Sequence, residues 1–214
     1  MLAMQHNYIK TPFRKVVKSV LNMDKKEYTR QEKAIRFMLR NEDYDYDKKP
    51  HKPINEGDGK EYTWLGLTKE DDEKYLPSPY KTLWDLYELS KNDLPKAIDI
   101  ARQVYIKGYW NPLLDEIIDE NFAIRYFDLS VNMGHRGVGK VLEAALKELD
   151  ISVSQKVSSV NQEVVSAINK AIEIKKDFIV LFKKKALDRY KSFATFSTYG
   201  KGWENRLNKS EEER

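Results

Sequence analysis

The stretch that decides the fold begins at Thr29-Arg30-Gln31-Glu32, continues through Ile35, Met38 and Leu39, and ends on Glu42. Thr-x-x-Glu is the spacing of a capping box, and the three apolar residues recur at helical intervals, which predicts a helix of about three turns from Arg30 to near Asn41. Glu42 stands seven residues after Ile35. It therefore falls on the apolar stripe at the helix's C-terminal end, where the helix dipole disfavours a carboxylate. Residues 43–60 are rich in Asp, Lys, Pro and Gly and read as a loop. Tyr62-Thr-Trp-Leu-Gly-Leu-Thr68 is β-prone and bounded by turn formers, so it reads as a small hairpin or sheet.

Outward from this core the chain is helical. Thr82-Leu-Trp-Asp85 is a second capping box, and Asp93 followed by Pro95 opens another helix. Ala97, Ile98, Ala101, Val104 and Tyr105 mark its buried stripe, which runs to Gly108. Asn121 is expected to cap a central core helix in which Ala123, Phe127, Ser130, Val131 and Gly134 share a face. Val138, Val141, Leu142, Ala145, Leu146 and Leu149 form a further stripe, Ser152 to Ser159 a polar connector, and Asn161–Lys176 and Asp177–Lys191 the last two helices. The fold class expected is mainly α, with one small β element.

Composition narrows the chemistry. The chain has 214 residues and no cysteine, which removes disulfides, thiolate nucleophiles and cysteine-bound zinc. A charged fraction of 34% and a mean hydropathy of -0.70 leave no room for membrane spans. The charge is unevenly placed. Residues 1–40 hold ten Lys/Arg against three Asp/Glu, residues 41–100 nine against fifteen, and residues 151–214 thirteen against eight. Basic ends of this kind attract polyanions, or are simply solvated faces. The start of the chain lacks the apolar block and small-residue cleavage site of a secretory signal.

His6, His51 and His135 have no metal-ligand spacing. Asp43, Asp45 and Asp47 imitate the start of a calcium loop, but Lys48 stands where glycine is needed and Ile54 where the closing Glu belongs. Phosphate-loop, dinucleotide and nucleophile-elbow motifs are missing. No metal and no cofactor are expected. Carboxylate chemistry remains: an acid at the end of an apolar helix, a loop, then a β segment. Glycosidic cleavage needs an acid that keeps its proton near neutral pH, and packing a carboxyl against apolar groups achieves that. The wall expected for Glu42 is Phe37, Met38 and one of Trp64 or Trp110. On spacing alone, an ordinary surface Glu is the competing reading.

From Ala34 to Arg206 the chain resembles glycoside hydrolase family 108, lysozyme-like muramidases that include phage endolysins. The residues that carry the resemblance are Glu42 and Tyr46 before Pro50; Gly59 with Thr63-Trp64-Leu65-Gly66-Leu67-Thr68; Tyr109-Trp110; Asp128-x-x-x-Asn132-x-Gly134; and Gly202-Trp203-x-x-Arg206. Asp43 and Tyr44 stand where the family has two glycines. The usual linker to the family's C-terminal helices is replaced by Asp150-Ile-Ser-Val-Ser-Gln-Lys-Val157.

The resemblance implies a lysozyme-like α+β domain over residues 29–150, preceded by a basic arm over 1–28. A C-terminal helical region over 151–208, possible seat of wall binding, and a charged tail over 209–214 would follow. It implies cleavage of the β-1,4 bond between N-acetylmuramic acid and N-acetylglucosamine, with Glu42 as the acid and Asp58 and Thr63 positioning water. Tyr46, Trp64, Tyr109, Trp110 and Asn132 would bind the glycan. Asp43, Asp45 or Asp47 could replace Asp58. Tyr109 and Trp110 also read as packing residues, and Asn132, Asp128, Trp203 and Arg206 as plain structural ones, Arg206 tying down a helix end. The partners expected are peptidoglycan strands and the anionic envelope, with no nucleic acid, no membrane insertion and a monomeric state. Like a phage endolysin, the protein would wait in the host cytoplasm and reach the wall after holin-type release. Rival readings are a lytic transglycosylase, a non-catalytic wall-binding protein of the same fold, and a basic nucleic-acid-binding protein; the last leaves the central motifs unexplained.

Overall fold

A computed structural model describes residues 27–55 and 62–212. Asp58, Gly59 and residues 1–26 of the basic arm lie outside them. The described residues form nine α-helices and one two-stranded antiparallel sheet. In chain order these are α1 (Arg30–Glu42), β1 (Thr63–Trp64), β2 (Leu67–Thr68), α2 (Lys69–Asp72), α3 (Leu83–Ser90) and α4 (Leu94–Tyr109). There follow α5 (Glu120–Met133), α6 (His135–Lys147), α7 (Gln162–Ile174), α8 (Phe178–Lys191) and α9 (Phe196–Asn208).

The caps read from sequence set the entries of α1, α3 and α4. Thr29 and Glu32 form the reciprocal capping box of α1, Thr82 and Asp85 that of α3, and Asp93 caps α4 with Pro95 in its first turn. One start is corrected: α5 is capped by Asp119, whose side chain accepts from the Phe122 amide, and not by Asn121. The spacing of Asp119 is one residue before the helix, leaving Asn121 already inside it. On α4 the burial also shifts by two residues, since Ile100 is buried and Ile98 is half-buried.

Helix α5 is the centre of the molecule, with every residue from Phe122 to Ser130 buried. It packs against α1 on one side and α6 on another, while α8 covers α6 and α9 covers α8. The expected division at residue 150 does not separate two cores. Phe122 of α5 stacks on Phe178 of α8 at 5.3 Å and meets Phe182 at 4.8 Å, so the C-terminal helices complete the core that the first helices begin. Nor is the charged tail wholly solvated: Glu211 is buried and pairs with Arg125.

The hairpin is minimal. Thr63 pairs with Thr68 and Trp64 with Leu67, leaving Leu65 and Gly66 as a two-residue turn. Both have positive φ, 52° and 78°, the pattern of a type I′ hairpin turn. Leucine is poorly suited to that conformation. Its carbonyl is held by the buried Tyr105 hydroxyl, which donates to it at 2.6 Å. No described helix is long and apolar enough to cross a membrane.

Candidate active site

The last residue of α1 and the hairpin turn meet at the floor of a cleft of about 270 Å³. Glu42, Thr63, Gly66, Asp72, Tyr109 and Asn132 line it, together with Asp43 and His51. A neighbouring hollow of about 560 Å³ shares Asp71, Tyr109, Val131 and Asn132 with it and runs on past Met133 to Phe193. The two hollows therefore adjoin at these four residues.

Of the apolar wall expected for Glu42, Trp64 lines the same cleft, whereas Phe37, Met38 and Trp110 do not. Phe37 lies beneath the Arg125 guanidinium at 4.8 Å, Met38 is in the core, and Trp110 packs edge-on against Phe127 at 5.5 Å. Arg206 of α9 instead donates from Nη1 to Glu42 Oε1 at 2.6 Å. A cation there offsets the unfavourable end of the α1 dipole. On its other side Glu42 lies so close to the turn that a Cβ on Gly66 would sit 2.5 Å from Glu42 Cγ and 2.9 Å from the Tyr105 hydroxyl.

Arg206 is itself held. Its Nη2 donates to Asp128 Oδ1 at 2.8 Å and its Nε to the same oxygen at 3.1 Å. Arg125 donates to Asp128 Oδ2 at 3.1 Å, and Asn41, one residue before Glu42, donates to Oδ1 at 3.0 Å. Burial opposes the charge on Asp128, but the Arg206 and Arg125 guanidiniums and the bonds from Arg206 and Asn41 outweigh it, holding the carboxyl below its ordinary value. Burial also opposes the cation of Arg206. Asp128 and Glu42 outweigh that and raise it further. The network continues outward through Arg125 to Glu211 at 2.5 Å, and from Glu211 to Lys183 at 2.7 Å.

A second carboxylate faces the cleft. Asp72 closes α2, with Oδ2 accepting from the Thr68 amide at 2.7 Å and Oδ1 from the Tyr109 hydroxyl at 3.0 Å. No cation approaches it in these bonds, and burial pushes its carboxyl up despite the donors.

The expected site residues therefore divide. Glu42, Thr63, Trp64, Tyr109 and Asn132 come together around the cleft. Trp64 is buried, however, with its indole Nε1 donating to the His51 carbonyl at 2.7 Å, so it offers no open ring for a sugar. Tyr46 is a core residue, only 3% exposed, and is corrected from glycan binder to packing. Trp110 does not line the cleft: it lines a cavity of about 140 Å³ that shares Gly108, Tyr109 and His135 with the neighbouring hollow. Asn132 accepts from the Tyr190 hydroxyl at 2.5 Å while still lining the cleft. Sequence reasoning left out Tyr105, Gly66 and His51 as site residues and gave Arg206 and Asp128 structural roles only. The ordered spacing of Asp128, Asn132, Trp203 and Arg206 was the available signal for the last two.

Among the described residues no group of acids and histidines is arranged to hold a metal ion. The chain matches no protein-family model, no curated protein and no solved structure.

Proposed function

We propose that the protein is a peptidoglycan N-acetylmuramidase, with Glu42 as the acid that protonates the glycosidic oxygen of the leaving N-acetylglucosamine. The observation that carries this reading is the meeting of Glu42, at the end of α1, with the hairpin turn at Gly66 in a cleft that adjoins a second hollow. A polymer needs a groove open along its length, and its scissile bond must reach a carboxyl fixed on rigid elements. Tyr109 and Asn132 lie where the two hollows join, in position to contact sugars on either side. The resemblance around Glu42, Thr63 to Thr68 and Arg206 supports the same reaction. The basic ends would keep the enzyme near the anionic envelope through contacts that salt screens.

The test is digestion of purified sacculi by the full chain and by Glu42→Gln, with the fragments read by mass. The amide oxygen still accepts from Arg206, so the fold is retained while the transferable proton is lost; clearing should fall by about 100-fold or more. Wild-type clearing by the variant refutes the assignment. Anhydro ends would identify a lytic transglycosylase using the same acid. The satisfied ion pair of Glu42 with Arg206 favours a second reading, a wall-binding protein without catalysis. Bound but uncut sacculi would establish it.

A further inference from the structure

A strip of aromatic rings lies outside the core, beside the hairpin. Tyr62, the residue before β1, meets Trp84 of α3 edge-on with ring centroids 5.4 Å apart, and Trp84 meets Tyr87 in the same way at 5.9 Å. All three residues are half-buried. Helix α3 buries Leu83 and Leu86 and sets Leu89 against the core, but among the described residues neither Trp84 nor Tyr87 joins it. Three residues apart, Trp84 and Tyr87 share a different face of the helix. An edge-on contact covers one face of one ring, so the three rings do not hide one another as a stack would.

The strip is tied to the cleft. Lys52 lines the cleft, and its Nζ stands 5.7 Å from the centre of the Trp84 ring. Thr63, another lining residue, follows Tyr62 directly. Lys91 Nζ lies 4.4 Å from the Tyr87 ring, so two ammonium groups flank the aromatics. Lys91 is answered by Glu88 at 2.5 Å, whereas Lys52 has no ion pair among the described residues. The two tryptophans near the cleft also differ. The Trp64 indole N–H is taken by the His51 carbonyl, while Trp84 Nε1 makes no hydrogen bond among the described residues and is left for water or a ligand.

We propose that Tyr62, Trp84 and Tyr87 form a glycan-binding platform that continues the cleft and holds the sugars of a peptidoglycan strand outside the bond being cut. The choice of sugar rests on the reading of the cleft as a peptidoglycan site. A pyranose face carries C–H groups of slight positive charge, which meet the electron-rich face of an indole or phenol. The free N–H of Trp84 can donate to a hydroxyl or to an acetamido carbonyl. Lys52 can pair with a carboxylate on the branch that N-acetylmuramic acid carries. Continuity with the cleft through Lys52 and Thr63 selects a glycan over a lipid surface, because a strand leaving the cleft on that side meets Trp84 next.

The test titrates the full chain, carrying Glu42→Gln to suppress cutting, with the hexamer of N-acetylglucosamine and, separately, with phosphatidylglycerol vesicles. Adding Trp84→Ala should weaken hexamer binding by about 10-fold or more, the loss expected of an anchoring tryptophan. Trp84→Phe, which keeps a ring face, should recover part of it. In the chain that keeps all its tryptophans, the Trp84 indole N–H signal, assigned by its disappearance in Trp84→Phe, should shift as the hexamer binds, a readout that does not depend on how Trp84→Ala folds. Equal hexamer binding with and without Trp84→Ala, an unmoved Trp84 signal at saturation, or no hexamer binding overturns the proposal. Vesicle binding that Trp84→Ala abolishes, without hexamer binding, also overturns it and makes the strip a membrane contact. The reading of Glu42 fails separately. Sacculi left uncut by wild type while the Trp84 effect persists would remove the acid and keep the platform; cutting by wild type with a silent Trp84 would keep the acid and remove the platform.

Discussion

Gly66→Ala perturbs the contact on which the site is built. Two costs add. The turn position has φ 78°, where an L side chain is disfavoured by about 1–2 kcal/mol. The new methyl would also lie 2.5 Å from Glu42 Cγ, 2.8 Å from Cδ and 2.9 Å from the Tyr105 hydroxyl, all inside normal contact distance. Overpacking of this kind costs about 1–3 kcal/mol. The sum, about 2–5 kcal/mol, lowers the melting temperature of a chain this long by roughly 4–20 °C. Activity should suffer more than stability. The atoms that must yield belong to Glu42, the acid of the proposed reaction, and displacing a reacting group by about 1 Å costs on the order of 100-fold. Gly202→Ala is the control, since a Cβ there meets nothing within 4 Å and α9 should gain up to about 1 kcal/mol. Thermal melts followed by sacculus clearing measure both effects. If Gly66→Ala melts and clears like wild type, the turn does not fix the acid.

Arg206→Met leaves Asp128 buried without its main cation and should cost about 3–5 kcal/mol in urea denaturation; a change within 0.5 kcal/mol would show the network to be dispensable. Ending the chain at Asp150 strips Phe122 of Phe178 and Phe182, so the fragment should lose its cooperative calorimetric transition. Acid should act through Asp128. Because its folded value lies below the ordinary 3.8, its contribution is complete above that pH and disappears as pH falls through the lower value. Urea midpoints should therefore drop steeply below about pH 4 in wild type and much less in Asp128→Asn. Asp72 has the opposite sign: its raised value means stability is lost as pH rises through it, and Asp72→Asn should remove that loss.

Local rules carried the first half of the chain well. Capping boxes at Thr29 and Thr82 and the Asp93-x-Pro95 start need only neighbouring residues, so they were legible without knowing the fold. The short turn at Gly66 was legible as a β element for the same reason. Sequence periodicity missed α2, which is only four residues long, and α9. Helix α9 carries Gly200 and Gly202, has no side-chain N-cap bond, and offers no clean apolar stripe. The surroundings of Glu42 were equally illegible. Arg206 is 164 residues away in sequence, and nothing in either segment's own pattern announces the ion pair. Tyr46 and Trp64 illustrate the converse error, because an aromatic beside a candidate acid reads as a sugar platform until its burial is known.

What holds α9 in place also explains why the site extends beyond the first five helices. Each of its two glycines costs about 1 kcal/mol relative to alanine, so the helix must be stabilised from outside. Trp203 stacks on Tyr190 at 4.7 Å, and Arg206 enters the core between two carboxylates. The charges there match: Glu42, Asp128 and Glu211 are answered by Arg206, Arg125 and Lys183. A buried carboxylate is tolerated only when it is paired and hydrogen-bonded, so Asp128 and α9 depend on each other. Glu42 takes the remaining guanidinium nitrogen at the edge of this network, with 22% of its side chain still exposed. The same arginine thus seals the core on one side and sets the direction of the cleft carboxylate on the other. A residue that orders the cleft carboxylate and the last helix together makes the C-terminal helices part of the site's construction.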